Sequence, residues 1–332
     1  HRSQPAQREP QMSTLPAFTP EQKDHAKRLL ATCVAKMMGR KFEEGDWASV
    51  YCQAKGIPET GWSNLHIDVM HQGLGVEHKM LCVGGDKPLM STAGTSLMHP
   101  SATRSIRVAS TDVAAQDAMV DIFRQYKELI EQRTLRVSEN AGRVPADMRT
   151  GWLLWERSLT EFIYFEERML PPNPDDYWAE WNERPASGSR KSSKNLWIYD
   201  RRTNQKKYSV TTSAGAKIQP YFDVPSPADP NLVYLRVQSE PVGHDQIRIW
   251  LTAESAHKLK QLLQDDTLDN LSSRILIAAQ QQVATSEPLA TPNSLAVPVV
   301  ISKTAHEALI THWIGVSDEH RIQLLMQTLV QP

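Results

Sequence analysis

Cysteine is scarce in this chain: Cys33, Cys52 and Cys82 are the three thiols in 332 residues. An odd number with no CxxC spacing excludes a disulfide framework and a thiolate zinc knuckle, and three reduced thiols fit a cytoplasmic, bacterial setting. Long apolar runs are missing as well. The longest candidate, Leu295 to Ile301, is short and interrupted by Pro298, far from the roughly 18 residues that span a bilayer, so no membrane partner is expected. Nor is there an excess of charge of one sign. Lys plus Arg number 37 against 38 Asp plus Glu, for a net charge of −1, so a nucleic-acid partner must be held by a local basic surface. His1 to Gln11 is polar and lacks the apolar stretch of a secretory signal. Met12 reads as a native start, and residues 1–18 as a flexible N-terminal segment.

Familiar catalytic motifs are absent too. There is no GxxxxGK[ST] phosphate loop and no GxSxG elbow, and Gly73 and Gly75 lack the third glycine of a dinucleotide site. His306 and His312 stand six apart, which puts them on different helix faces, whereas a zincin needs the four-residue spacing. What is present is 40% hydrophobic residues, 23% charged residues and nine tryptophans. That mixture supports a packed core, and the length suits one large or two ordinary domains.

Thr19-Pro20-Glu21-Gln22 carries the cap, first-turn proline and capping box of a helix start, and Leu29, Leu30, Cys33, Val34 and Met37 follow at helical spacing up to Gly39. A second helix is expected from Asp46 to Lys55, stopped by Gly56. Gly61 to Met70 and Leu74 to Val83 read as strands around a Gln72-Gly73 turn, a hairpin signal. Ser91 to Ser110 reads as a loop. Helix resumes near Thr111 with Met119, Val120, Phe123, Tyr126, Leu129 and Ile130. Trp152 to Met169 is extended in part, with helix as the alternative, and Ala186 to Lys194 is a polar connector. Strands follow at Asn195–Tyr199, Lys207–Thr212, Leu232–Val237 and Gln246–Leu251, then a helix from Ala253 to Leu263, a Gln-rich link from Gln280 to Asn293 and a helical pair near Ala305 to Gln327.

The chemistry concentrates in the hairpin. Glu77 and Lys79 are two apart on a strand, so their side chains leave the same face, and pairing can bring Asp68 opposite them. Two close carboxylates repel unless a cation lies between them, and hard oxygen ligands suit Mg²⁺. Such a cation polarises a phosphate oxygen and lowers the pKa of a bound water. The backbone carbonyl of His78 can supply a further ligand, while its ring points to the opposite sheet face as a packing or hydrogen-bonding group. The bland alternative is an exposed cross-strand charge network.

Over residues 19 to about 130 this arrangement resembles the PD-(D/E)XK nuclease superfamily, and type II restriction endonucleases within it: helix, strand with Asp68, strand with Glu77-His78-Lys79, helix. The resemblance implies that Asp68 and Glu77 bind Mg²⁺, that Lys79 is the catalytic lysine, and that an acidic residue from the first helical region joins them, with Glu44 chosen over Glu43 and Asp46. Asp68 is preceded by Ile67 in place of proline, a departure from the motif.

From Ser187 to Lys217 there are eight basic residues against one acid, Asp200, with Trp197, Tyr199 and Tyr208 interleaved. Arg190, Lys191, Lys194, Arg201, Arg202, Lys206 and Lys207 are candidate phosphate contacts. Asn204 and Gln205, at the expected hairpin tip, can read base edges. Arg104 and Arg107 form a second candidate contact loop. Trp152, Trp155, Trp178 and Trp181 read as core or interface. The expected architecture is a mixed α/β protein: segment 1–18, a nuclease core over 19–185, a β-rich DNA-recognition region over 186–265 and a helical tail over 266–332. The expected function is Mg²⁺-dependent cleavage of double-stranded DNA by a homodimer, sequence-specific in the manner of a restriction enzyme. The alternatives are a repair, mobile-element or modification-directed defence nuclease, and a DNA-binding protein without hydrolytic activity.

Overall fold

The computed structural model describes residues 15–37, 41–59, 67–100, 106–212, 217–251, 295–304 and 306–307. They form a mixed α/β fold of three helices and three sheets. Helix α1, Pro20–Ala35, begins as the sequence dictates: the Thr19 hydroxyl accepts from the Gln22 amide, and the Gln22 side chain accepts from the Thr19 amide. Helix α2, Glu44–Lys55, starts at a reciprocal Glu43–Asp46 cap and ends on Gly56 in the left-handed region at φ 68°, a conformation glycine adopts without steric cost. Strands β1 (Val69–His71) and β2 (Leu74–Cys82) form a hairpin at the expected turn, but β1 is far shorter than the strand expected over 61–70: Asp68 lies in a bend ahead of it, and residues 61–66 lie outside the described residues.

After β2 the chain forms β3 (Ser96–Met98) and then α3 (Ala115–Asn140), which crosses over to deliver β4 (Asp147–Trp155) parallel to β2. Strand β5 (Glu161–Arg168) turns back antiparallel to β4, and β10 (Val233–Arg236) closes a five-stranded sheet of order β1-β2-β4-β5-β10. The extended reading of Trp152 to Met169 is therefore the one realised. Its apolar run, Trp152–Trp155 against Phe162–Phe165, is buried on both faces, which is why no alternation marked it.

One face of this sheet carries α1 and α2, with Leu30, Trp47, Tyr51, Val76, Leu153, Phe162 and Tyr164 in one core. The other face meets α3 through Ile130, Val137 and Met148. It also meets a second sheet, of order β3-β9-β8-β7-β6, through Trp152, Phe165 and Phe222. That sheet comprises β6 (Tyr177–Arg184), β7 (Ser193–Asp200), β8 (Lys206–Thr211), β9 (Lys217–Asp223) and β3. Strand β6 lies ahead of the polar connector, β3 lies within the stretch that reads as a loop, and β9 adds a strand beyond those expected. The second sheet thus gathers short strands from both sides of the composition change at Ala186.

A third, three-stranded sheet joins β11 (Glu240–Val242), β12 (Gln246–Leu251) and β13 (Val297–Ser302). The run Leu295–Ile301, too short for a membrane span, supplies that last strand. The helix expected at Ala253–Leu263, the link at Gln280–Asn293 and nearly all of the helical pair lie outside the described residues. No helix among the described residues is long and apolar enough to cross a membrane.

Candidate active site

Gln72 and Gly73 both take positive φ, 47° and 86°, the turn geometry whose twist matches a two-residue hairpin. The register runs Val69↔Val76, Met70↔Gly75 and His71↔Leu74. The ladder ends at Val69: Asp68 lies in a bend, and its amide donates at 2.9 Å to the carbonyl of Val76, the residue already paired with Val69. The bend brings the Asp68 carboxyl within electrostatic reach of Glu77 and Lys79. The Asp68 carboxylate turns in to accept from the His78 amide at 2.6 Å, a short charge-assisted bond. Lys79 Nζ lies 3.4 Å from Glu77 Oε1, and Arg133 of α3 donates to Glu77 Oε2 at 2.7 Å. Asp68, Glu77 and Lys79 are brought together, with Arg133 added to them.

Asp68 keeps much of its surface as a residue, yet its carboxyl is crowded. Burial raises its pKa to about 6, the negative charges of Glu77 and Glu44 add to the rise, and the His78 amide and Lys79 oppose it. Glu44 sits exposed in the first turn of α2. It acts on Asp68 through charge, while Asp46 is committed to the Glu43 amide at 2.8 Å.

The His78 ring takes the opposite face, as expected. Its Nε2 meets the Tyr164 hydroxyl at 3.1 Å, and its edge packs on Tyr51 with ring centres 4.9 Å apart. Burial drives its pKa down to about 3, so the ring is neutral. Tyr164 in turn donates to the buried Glu166 at 2.7 Å, and Arg149 joins that carboxylate at 3.0 Å. The His78 main chain behaves differently. Val76 and His78 are two apart, so their backbone groups leave the strand on the same side; the Val76 carbonyl and the His78 amide both serve Asp68. The His78 carbonyl leaves on that side too.

Two carboxylates and a carbonyl are the hard oxygen donors that suit Mg²⁺; the raised Asp68 pKa comes first from burial, with the charges of Glu77 and Glu44 behind it. Against this stand the two cations already on Glu77. Among the described residues, no group of three or more His, Cys, Asp or Glu side chains is arranged to hold a metal ion.

Two residues escaped the sequence reading. Arg133 is 6% exposed on α3. Its signal was a cation between Ile130 and Val137, on the apolar stripe of the helix. Glu167 lies on the same sheet face as Glu77, linked through the register Glu77↔Thr150↔Glu167. It accepts from Trp152 Nε1 at 3.4 Å, and burial raises its pKa to about 6. Two acids ending the apolar run Phe162–Phe165 were the available hint.

The candidate DNA contacts divide into groups. Arg190, Lys191, Arg201, Arg202 and Gln205 are exposed in the turns of the second sheet, and Arg107 is exposed beside α3. Arg104 lies outside the described residues. Lys194 donates to the Thr111 carbonyl at 2.8 Å and lies over Trp181, Lys207 pairs with Asp223 at 2.9 Å, and Lys206 lies 3.7 Å above the Trp197 ring. Asn204, at φ 57° in the β7–β8 turn, accepts from Trp178 Nε1 at 3.0 Å. Trp152 and Trp155 are core residues, while Trp178 and Trp181 keep part of their surface.

Comparison of the chain with models of protein families, with curated proteins and with solved structures gave no match.

Proposed function

We propose that this chain is a Mg²⁺-dependent endodeoxyribonuclease of the PD-(D/E)XK kind, hydrolysing phosphodiester bonds in double-stranded DNA. The observation that carries the reading is the approach of the Asp68 carboxyl, held by the His78 amide, to Glu77 and Lys79 of the neighbouring strand. The hairpin, crossover helix and parallel strand made by β1, β2, α3 and β4 support it. Asp68, Glu77 and the His78 carbonyl would hold the cation, which when bound supplies Lewis-acid activation of water and of the phosphate. Lys79 meets the negative charge that grows on the phosphate oxygens, and its contact with Glu77 orients it. The exposed arginines and lysines of the second sheet would bind the flanking backbone. Action on two strands favours a homodimer, whose symmetry a palindromic site would match.

The test is nicking of supercoiled plasmid with Mg²⁺ against EDTA, for the wild type and Lys79→Ala. Cleavage that needs the metal and falls by at least about 100-fold in the variant is expected, the scale set by removal of a transition-state charge partner. Absence of metal-dependent cleavage by the wild type overturns the reading. One observation favours a second reading, DNA binding without hydrolysis: Arg133 and Lys79 already neutralise Glu77. Equal plasmid retention by both proteins with no cleavage supports that alternative.

A further inference from the structure

The second sheet has two unlike faces. Leu196, Ile198, Val210 and Ile218 point inward and pack with Ile122 and Phe123 of α3. Alternation sends Trp178 and Glu180 of β6, Trp197 and Tyr199 of β7, and Tyr221 of β9 outward, where their side chains remain partly exposed. Polar residues are expected on such a face. Four large rings there are a departure that inner packing does not require.

The rings are also held in place. Trp178 and Tyr199 are register partners and stack with centres 4.3 Å apart and planes 11° from parallel. Their polar ends are pinned, Trp178 Nε1 to Asn204 at 3.0 Å and the Tyr199 hydroxyl to Glu180 at 2.9 Å. Lys206 places its ammonium 3.7 Å from the Trp197 ring centre and 5.7 Å from that of Tyr221. Arg201, Arg202 and Lys217 are exposed at the ends of the same strands. Upright rings set among cations are what unpaired nucleotides need: bases stack on the rings, and the phosphates between them meet the cations. In a duplex the base faces are already covered by neighbouring pairs, so the rings offer it little.

We propose that the outward face of the second sheet, centred on Trp178, Trp197, Tyr199 and Tyr221, binds single-stranded nucleic acid. This face stands apart from the Asp68–Glu77 hairpin and does not depend on hydrolysis there. Binding is therefore measured in EDTA, by anisotropy of a fluorescein-labelled dT20 strand, of the same strand in a 20-base-pair duplex, and by competition with cellohexaose. The single strand is expected to bind at least about tenfold more tightly than the duplex. Tyr199→Ala is expected to weaken it about 5- to 100-fold, the range for loss of one stacked base. Arg201→Glu with Arg202→Glu, which leaves the rings untouched, should weaken binding and flatten its salt dependence. Equal loss of duplex and single-strand affinity in Tyr199→Ala overturns the proposal, as does displacement by cellohexaose, and so does wild-type single-strand affinity in both variants. A failure here leaves the plasmid result intact, and a silent plasmid assay leaves this measurement intact.

Discussion

Arg133 and Glu77 meet at 2.7 Å, an arginine on the crossover helix and a glutamate on the strand it crosses, both largely shielded from water. Removing one partner of such a pair strands the other, at a cost of about 3–5 kcal/mol. Lys79 remains beside Glu77 in an Arg133→Met variant, so the lower end of that range is expected. Glu77→Gln combined with Arg133→Met should cost less than the sum of the two single changes, because no charge is left stranded. Urea denaturation of the four proteins measures this coupling, and additivity would disprove it. If Glu77 holds the cation, Arg133→Met should also lower the Mg²⁺ concentration needed for half-maximal cleavage.

Asp68 gives the hairpin a dependence on acidity. Its carboxyl titrates at about 6 in the folded chain against an ordinary 3.8. The native state thus keeps a proton that the unfolded state has lost. This group places no charge penalty on folding below about 3.8, and it subtracts stability as pH climbs from there through 6. Asp68→Asn should remove this term, leaving stability that rises more steeply with pH in denaturant titrations between pH 4 and 6. If Asp68 holds the cation, binding must displace this proton, so the half-saturating Mg²⁺ concentration should fall about tenfold for each pH unit of rise up to 6 and level off above it.

His78 works in the opposite sense. Burial lowers its pKa from 6.5 to about 3, so the unfolded chain takes up a proton that the folded chain refuses. Stability is lost as pH falls from 6.5 toward 3, by up to about 1.4 kcal/mol per pH unit. His78→Phe should remove this acid term and leave stability rising as pH falls from 6 to 4, and an unchanged slope would remove His78 as its source. Between pH 4 and 6 Asp68 and His78 oppose each other, so the wild type should respond less to acid there than the variants do.

Gly151 is fixed by contact. A methyl group at this position would run into the Tyr164 hydroxyl and come within 2.8 Å of His78 Cδ2, both in a packed interior. Gly151→Ala should destabilise by about 1–3 kcal/mol, the usual range for overpacking. Gly45→Ala is the control. It lies in the first turn of α2 with nothing within 4 Å of the added carbon, and it should be neutral or stabilising by up to about 1 kcal/mol. Thermal melts of the two variants separate these outcomes.

Local chemistry made part of this fold legible. The Thr19 capping box, the Gly56 stop and the Gln72-Gly73 turn are each written in a few adjacent residues, and α1, α2 and the β1–β2 hairpin follow from them. The turn also sets Glu77 and Lys79 on one face of β2, whereas Asp68 reaches them through a bend and its bond to the His78 amide. What stayed hidden depends on distant partners. Arg133 finds Glu77 only once α3 has crossed the sheet. Strand β3 acquires its identity from β9, with Leu97 opposite Phe222. The ring pair Trp178 and Tyr199 exists because β6 joins the second sheet from before the polar connector, where composition gave no reason to begin a strand.

The third sheet has a consequence for the order in which the molecule can be completed. The Ala296 amide donates to the Thr32 hydroxyl of α1 at 2.8 Å, and Ile301 takes its place beside Ile247. Early and late parts of the chain therefore close over one seam. During synthesis α1 emerges long before β13, so a nascent chain carries Trp250 and the flank of α1 without their last cover. Chaperones would find their foothold there, and the edge of β12 is where a stalled chain would stick to its neighbours.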